Sequence, residues 1–303
     1  MTNHISKSEG FEFLDYKSSS SSSSAAAAAE GSLDKTDIAV KHDAFWSYCG
    51  PLLSGSADLP ENLHEWAAAA LSSSLLPLLL PFLAFANEFV RSRGLGHYWL
   101  TIRATKATRE FDKPRWHTDE LFFSGGGGFR MMPRETTREK QQLDLQTDWK
   151  LCATILGPST LFIPAEHQAA ARKTQRSTRR ALATDHSCTS IRCVGCASAA
   201  DAVRERLAAA LAPLGRVQAA PGECSFFRIG QDWGAVHSEP CMREGDRIFV
   251  NVVPGRRDEL GNLMAKWGMS FPRSWWIAPR GRKEGTKARI EREIIADEST
   301  QKN

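Results

Sequence analysis

Hydrophobic residues change their spacing part-way along the chain, and the change predicts two different kinds of structure. Residues 63–93 are rich in Ala and Leu, and they close with Arg93 and Gly94. A basic last turn followed by glycine is a common helix end. This stretch therefore predicts one long helix, or two helices that meet at a kink near Pro77 and Pro81, because proline interrupts helical hydrogen bonding.

The rest of the chain is typical of strands, with short apolar or alternating runs between Gly, Pro and charged turns. The predicted strand regions are residues 97–105, 151–157, 160–164, 224–230, 233–238 and 247–253. One clear helical pattern interrupts them, over residues 198–214. We therefore predict a mainly β fold with α-helices, a jelly roll with an N-terminal helical layer packed outside.

Low-complexity composition sets the expected domain limits. An unbroken serine run and an alanine run lie between residues 18 and 29, where little apolar surface is available to offset the entropy of ordering. The predicted organisation is a disordered tail over 1–33, a single domain over 34–279 and a charged C-terminal tail over 280–303. Within that domain, we expect the helical layer over 34–96 and the jelly-roll core over 97–279.

Composition and charge narrow the class of protein. With 39 Lys and Arg against 35 Asp and Glu, the net charge is +4, so we expect no nucleic-acid partner. The most apolar run, residues 75–86, is too short for a bilayer span, and we expect no membrane association. The N-terminus lacks the apolar core of a secretory signal, and seven cysteines without regular spacing favour reduced thiols. A cytoplasmic location fits these features best.

Two histidines and one carboxylate form the candidate catalytic site. His117 and Asp119 are two residues apart, so in extended backbone both side chains point the same way. His237 lies in a later strand-like run. Two imidazoles and one carboxylate make a facial triad, which binds non-haem Fe(II) and leaves the opposite coordination positions open. The alternatives are a turn-stabilising pair of His117 with Asp119, and His237 as a core histidine.

Arg247 follows His237 by ten residues and opens a strand-like run. Alternation places Arg247, Phe249 and Asn251 on one face of that strand. A guanidinium that faces a protein interior needs an anion, and a carboxylate matches its two-pronged geometry. The sequence thus predicts a carboxylate anchor near the metal triad, although Arg247 can also pair with Asp246 or another acid of the chain.

The order of these residues, H-x-D followed by a distant His and then an Arg, resembles the Fe(II)/2-oxoglutarate-dependent oxygenase superfamily. The resemblance covers residues 117–253. The chain is also similar to an uncharacterised domain family of bacteria and fungi with a W-H-T-D … V-H-S-E-P pattern. The superfamily resemblance implies a double-stranded β-helix, the fold form of the predicted jelly roll.

The same resemblance implies the ligands and their roles. His117, Asp119 and His237 would bind Fe(II), and Arg247 would hold the distal carboxylate of the cosubstrate 2-oxoglutarate. Thr154 is the implied second contact to this cosubstrate. The implied reaction uses dioxygen to oxidise, most simply to hydroxylate, a small organic molecule.

Two features of the sequence qualify the resemblance. Asp119 is present, which argues against the halide-binding variant, in which a small residue replaces the carboxylate. Many members carry Ser or Thr two residues after the anchoring Arg, whereas this chain has Phe249. The alternatives are a cupin-like metalloenzyme that does not use 2-oxoglutarate, although the usual H-x-H pair is absent, and a non-catalytic metal-binding or scaffold module.

Other chemistry-bearing residues have simpler explanations. A rival zinc cluster would use His186, Cys188, Cys193 and Cys196, but these ligands crowd into eleven residues and lack a distant second pair. The glycine run at residues 125–128 permits a lid or is a flexible connection. Four arginines lie near the triad in sequence and can bind an acidic substrate, but the sequence favours solvated loop charge as their explanation: Arg103, Arg109, Arg115 and Arg130.

Overall fold

A computed structural model describes residues 10–17, 38–123, 147–183 and 193–277. The described strands are β1 (Phe11–Asp15), β2 (Ala44–Pro51), β3 (His97–Thr105), β4 (Trp149–Leu156), β5 (Leu161–Phe162), β6 (Val217–Gln218), β7 (Glu223–Arg228), β8 (His237–Ser238), β9 (Arg247–Gly255) and β10 (Arg273–Trp276). The described helices are α1 (Glu61–Ala70), α2 (Leu76–Ser92), α3 (Gln168–Ala181), α4 (Val194–Leu211) and α5 (Arg257–Lys266).

The strands form two antiparallel sheets. The large sheet has seven strands in the order β1-β7-β4-β9-β3-β2-β10, and the small sheet has three in the order β6-β5-β8. Ring contacts join the two sheets, since Phe162 of β5 lies 5.3 Å from Phe227 of β7 between ring centroids. The structure is mixed α/β rather than mainly β, and closure of the sheets into a jelly roll stays a prediction.

Strict alternation gives the large sheet two different faces. On β3, Leu100 and Ile102 are fully buried with Val250 and Val252 of β9, on the side covered by α1 and α2. The intervening residues of the same strands point to the opposite side, towards the small sheet. The predicted helical layer outside the sheet is therefore present, and the other face of the sheet is left to build a site.

The predicted helical stretch over 63–93 forms two helices, α1 and α2, with the break at residues 71–75. Pro77 lies in the first turn of α2, where a missing N–H costs nothing, and Pro81 lies inside it. The expectation of a helical layer over the whole of 34–96 is wrong at β2, whose eight residues pair with β3 along their full length.

The predicted disordered tail over 1–33 is wrong for Phe11–Asp15, which pairs with β7 as an edge strand. Phe11–Asp15 precedes the serine run, and the low-complexity composition of that run does not indicate whether the preceding residues are ordered. Phe11 is 9% exposed and stacks on Phe162 with ring centroids 4.7 Å apart. The predicted charged tail over 280–303 lies outside the described residues.

Sequence patterning missed helix α3 because its buried face is polar. Gln168, Arg172 and Gln175 are among its buried residues, at helical spacing. Both polar atoms of the Gln168 side chain form hydrogen bonds with the backbone. Nε2 donates to the carbonyls of Ile163 and Val236, and Oε1 accepts from the Val236 N–H. Such a helix shows no apolar stripe in the sequence, because hydrogen-bonded polar side chains occupy its buried face.

None of the described helices combines the length and apolar character that crossing a bilayer would demand.

We expect Phe11→Ala to lower the free energy of unfolding by about 3 kcal/mol, because it deletes a buried ring that stacks on the small sheet. Urea denaturation measures this loss. Val194→Ala is the matched control, because Val194 is 79% exposed and its truncation should change stability by less than about 0.5 kcal/mol. Equal stability of the Phe11→Ala variant and the parent would show that β1 does not pack on the domain.

Candidate metal centre

His117 and His237 are paired directly across two short extended segments. The backbone N–H of each residue donates to the carbonyl of the other at 2.9 Å. Side chains of directly paired residues lie on the same face, and the two imidazole ring centroids are 4.4 Å apart. This backbone pairing therefore brings together two histidines that are 120 residues apart in the chain.

Asp119 completes the group from the same segment as His117. Its Oδ1 lies 3.9 Å from His117 Nε2, and its Oδ2 lies 3.6 Å from His237 Nε2. The Asp119 carbonyl accepts a hydrogen bond of 2.8 Å from the Gly230 N–H, which holds the backbone at this point. One ligand atom from each of the three side chains lies within 4.8 Å of the others. The structure thus places the three predicted ligands at a single point.

Backbone carbonyls set the orientation of both imidazoles. His117 Nδ1 is 2.7 Å from the Arg115 carbonyl, and His237 Nδ1 is 2.9 Å from the Ala235 carbonyl. Because a carbonyl only accepts, each Nδ1 must carry the proton and each Nε2 presents a lone pair. Hydrogen bonds of this kind, behind the ligand atom, are typical of metal-binding histidines.

Burial and neighbouring charge give both buried ligands the protonation state that a metal needs. Burial lowers the pKa of His237 to about 4, with the nearby His117 ring acting in the same direction. Phe162 and Phe227 pack around the His237 ring and keep water away from it. Burial opposes ionisation of Asp119, but His237 and the ammonium of Lys150 outweigh it and lower its pKa to about 2. At neutral pH, His237 is therefore a neutral imidazole and Asp119 is an ionised carboxylate.

Lys150 is a site residue that sequence reasoning missed. Its Nζ lies 2.8 Å from Asp119 Oδ2 and 5.0 Å from the centroid of the Phe122 ring. This ammonium neutralises part of the Asp119 charge and is one of the groups that lower the pKa of the carboxyl. The signal was present in the sequence, since alternation along β4 places Lys150 on the same face as Cys152, towards the site.

The three candidate metal ligands line a cavity of about 580 Å³, and Arg247 lines the same cavity. The Arg247 side chain is 6% exposed. Its Nε donates to the Pro158 carbonyl and its NH2 group to Thr160 Oγ1, both at 3.0 Å. Its Cζ lies 4.4 Å above the Phe249 ring. Burial lowers the pKa of Arg247 to about 10, so the guanidinium is charged at neutral pH.

Arg247 has no carboxylate within 4.0 Å in the described part of the chain. The neighbouring Asp246, a possible partner from the sequence, turns the other way. It lies 3.6 Å from Lys106 Nζ and accepts hydrogen bonds from the backbone N–H groups of Val40 and Ala107. A buried cation without an ion-pair partner is costly, so this arginine is suited to an anion from outside the chain.

Thr154, the implied second contact to the cosubstrate, is not among the residues that line the cavity. It pairs with Phe249 across β4 and β9, and the register of the two strands shifts directly after it. Thr160 lies in the cavity instead and carries the hydroxyl that faces Arg247. The predicted strand over residues 160–164 began at Thr160, but its pattern gave no sign of a contact with Arg247, and the observed strand β5 begins one residue later.

The rival sites fall mostly outside the described residues. His186, Cys188 and the glycine run at 125–128 lie there, while Cys193 is half-buried and Cys196 exposed at the start of α4. Within the described ranges, the group formed by His117, Asp119 and His237 is the one set of three side chains placed to hold a metal ion.

The depressed pKa of His237 predicts a pH-dependent stability of the metal-free protein. Between about pH 4 and 6.5, the unfolded chain binds a proton at this residue and the folded protein does not. Stability should therefore fall as pH drops through this window, by about 3 kcal/mol from His237 alone. Urea titrations at a series of pH values measure how steeply the free energy of unfolding changes with pH. His237→Gln should flatten it, whereas the exposed His64→Gln should not; an unchanged slope in His237→Gln would contradict the buried neutral imidazole.

Comparisons of the chain with protein-family models, with curated proteins and with solved structures found no match.

Proposed function

We propose that the protein is a non-haem Fe(II)- and 2-oxoglutarate-dependent oxygenase that hydroxylates a small organic molecule. One observation carries the proposal: a two-histidine, one-carboxylate group lines the same cavity as a buried arginine that has no carboxylate within 4.0 Å among the described residues. The first group suits a divalent metal with open coordination positions, and the second suits a carboxylate. The reaction class that needs both at once is oxidation driven by a 2-oxo acid.

The donor set fits divalent iron. Imidazole nitrogen and carboxylate oxygen are ligands that Fe(II) accepts, and the 2-His-1-carboxylate arrangement leaves positions for other molecules. The Nε2 lone pairs of His117 and His237 and the Asp119 carboxylate face one another, and no protein thiolate competes among these ligands. When bound there, Fe(II) would supply the activation of dioxygen, which protein side chains cannot provide.

The protein's own residues would position and shield the reactants. Arg247 would hold the distal carboxylate of 2-oxoglutarate, with the Thr160 hydroxyl as a second polar contact. Phe249, where related enzymes carry Ser or Thr, lies against the guanidinium and keeps it oriented. Overall, 2-oxoglutarate, dioxygen and R–H would give succinate, carbon dioxide and R–OH, which balances the two electrons from the oxo acid and the two from the substrate.

We assign the two sheets to the two faces of a double-stranded β-helix. His237 belongs to the small sheet and Arg247 to the large sheet, and the cavity lies between them. This placement lets a metal bound to one sheet and an anion anchored on the other meet in the same space. It supports the predicted jelly-roll arrangement without depending on where the strands close.

Anaerobic titration with Fe(II) and then 2-oxoglutarate tests the function directly. We expect stoichiometric iron binding, a visible metal-to-ligand charge-transfer band when 2-oxoglutarate is added, and succinate release when air is admitted. Asp119→Ala should lower iron affinity and abolish succinate release, and Asp201→Ala, which removes an exposed carboxylate of α4, should change neither. Iron binding without any response to 2-oxoglutarate would favour the cupin-like alternative, and absence of stoichiometric metal would favour a scaffold module.

Arg247→Ala should weaken 2-oxoglutarate binding at least tenfold while iron binding is retained, because it removes a charge-assisted hydrogen-bonding partner of the cosubstrate. Isothermal titration of the iron-loaded, anaerobic protein measures both affinities. Exposed Arg216→Ala is the control and should leave them unchanged. Wild-type cosubstrate affinity in the folded Arg247→Ala variant would remove this residue from the site.

A further inference from the structure

We propose that the substrate of this cavity is a flat, aromatic carboxylate, and that Arg103 at the cavity mouth binds its carboxylate group. The inference rests on the proposed function in that it takes the metal-containing cavity as the substrate site. It assigns Arg103 a role separate from that of Arg247, so the chain would use two arginines for two different anions.

Strand register places the two arginines side by side in the large sheet. Arg103 of β3 faces the cavity together with Trp99 and Thr101. Arg103 pairs with Phe249 of β9, while Arg247 pairs with Thr105 two residues further along β3. The two arginines are therefore diagonal neighbours on one face, with Cβ atoms on the order of 7–8 Å apart. At that spacing each guanidinium can hold an anion of its own within the same cavity.

The two guanidiniums differ in accessibility. Arg247 is 6% exposed and is held by Pro158 and Thr160. Arg103 is exposed and has no carboxylate within 4.0 Å in the part of the chain that the structure describes. A buried, preoriented guanidinium suits an anion that the cavity encloses. An exposed one suits an anion that stays in contact with solvent.

Two acids of the cavity are paired with other residues. Glu110 pairs with Arg115 at 2.9 Å, and Asp119 pairs with Lys150 at 2.8 Å. A third acid, Glu239, has a buried carboxylate oxygen without a hydrogen-bond partner among the described residues, and its charge raises the pKa of Arg247. An incoming carboxylate would therefore meet, at Arg103, a positive charge that has no ion-pair partner in the described part of the chain.

The walls next to Arg103 are aromatic. The Phe45 ring lies 5.8 Å from the Arg103 guanidinium carbon, and Trp99 and Phe122 form an edge-to-face pair with centroids 5.7 Å apart. Trp99 Nε1 donates to Ser47 Oγ at 2.6 Å, which fixes the orientation of the indole. These aromatic side chains favour contact with a flat apolar group, and Arg103 in the same cavity favours a carboxylate attached to that group. Together they specify an aromatic ring that carries a short acidic arm.

Binding of three matched probes tests this inference: 3-phenylpropanoate, 3-phenyl-1-propanol and 3-phenylpropylamine. They share a ring and arm and differ in charge. Isothermal titration of the metal-free protein should show the carboxylate binding at least tenfold more tightly than the alcohol or the amine. Arg103→Gln should weaken the carboxylate at least tenfold, since a charge-assisted hydrogen bond contributes about 1.5–3 kcal/mol. Arg109→Gln, at an exposed arginine outside the cavity lining, is the matched control and should change nothing.

The Arg247→Ala variant separates the two anion sites. It should retain 3-phenylpropanoate binding while it loses affinity for 2-oxoglutarate. Loss of the probe in Arg247→Ala with full binding in Arg103→Gln would overturn the inference, because the probe would then occupy the cosubstrate anchor. Undetectable binding of 3-phenylpropanoate, or equal binding of the amine, would overturn it as well. Because this assay needs no iron, failure of the iron titration would reject the proposed function without altering the outcome at Arg103.

Discussion

Two backbone hydrogen bonds between His117 and His237 set the geometry of the candidate metal centre. The residues exchange N–H and carbonyl groups at 2.9 Å, which fixes the separation and direction of both side chains. Asp119 follows two residues after the first histidine and therefore points to the same place. A metal ion bound by these three side chains would need little reorganisation of them, because the backbone pairing and the carbonyls that accept from each Nδ1 already orient the rings.

The large sheet serves both stability and chemistry through its two faces. Residues at alternate positions of β3, β4 and β9 fill the apolar core beneath α1 and α2, and the residues between them line the cavity. Because the core face is uniformly apolar, the register of each strand is strongly specified. A slip by one residue would bury Arg247 in the core and expose Val250, so selection for stability also fixes the geometry of the site.

Local patterning accounts for the parts of the structure that could be predicted from the sequence. Strand β3 has the bounds that its alternation predicted, and Arg247 faces the cavity as the period of two required. The H-x-D spacing correctly indicated that His117 and Asp119 share a direction. Alternation along β4 would equally have revealed Lys150, since the predicted strand began one residue after it.

Features that depend on tertiary contacts were beyond local patterning. Helix α3 is buried through Gln168 and its backbone partners, so no apolar stripe reveals it. Strand β1 is stabilised by Phe162, a residue about 150 positions away. The hydroxyl that accepts from Arg247 comes from Thr160, whereas Thr154, although paired with the cavity residue Phe249, does not line the cavity. Each of these outcomes is set by a partner distant in sequence, which neither propensity nor spacing encodes.

An anaerobic crystal structure with Fe(II) and 2-oxoglutarate, with anomalous data at the iron edge, tests the central claim most directly. We expect one iron peak in direct coordinating contact with His117 Nε2, His237 Nε2 and an Asp119 carboxylate oxygen. We also expect the distal carboxylate of 2-oxoglutarate on Arg247. Iron bound elsewhere, or 2-oxoglutarate away from this guanidinium, would contradict the assignment of the cavity as an oxygenase site.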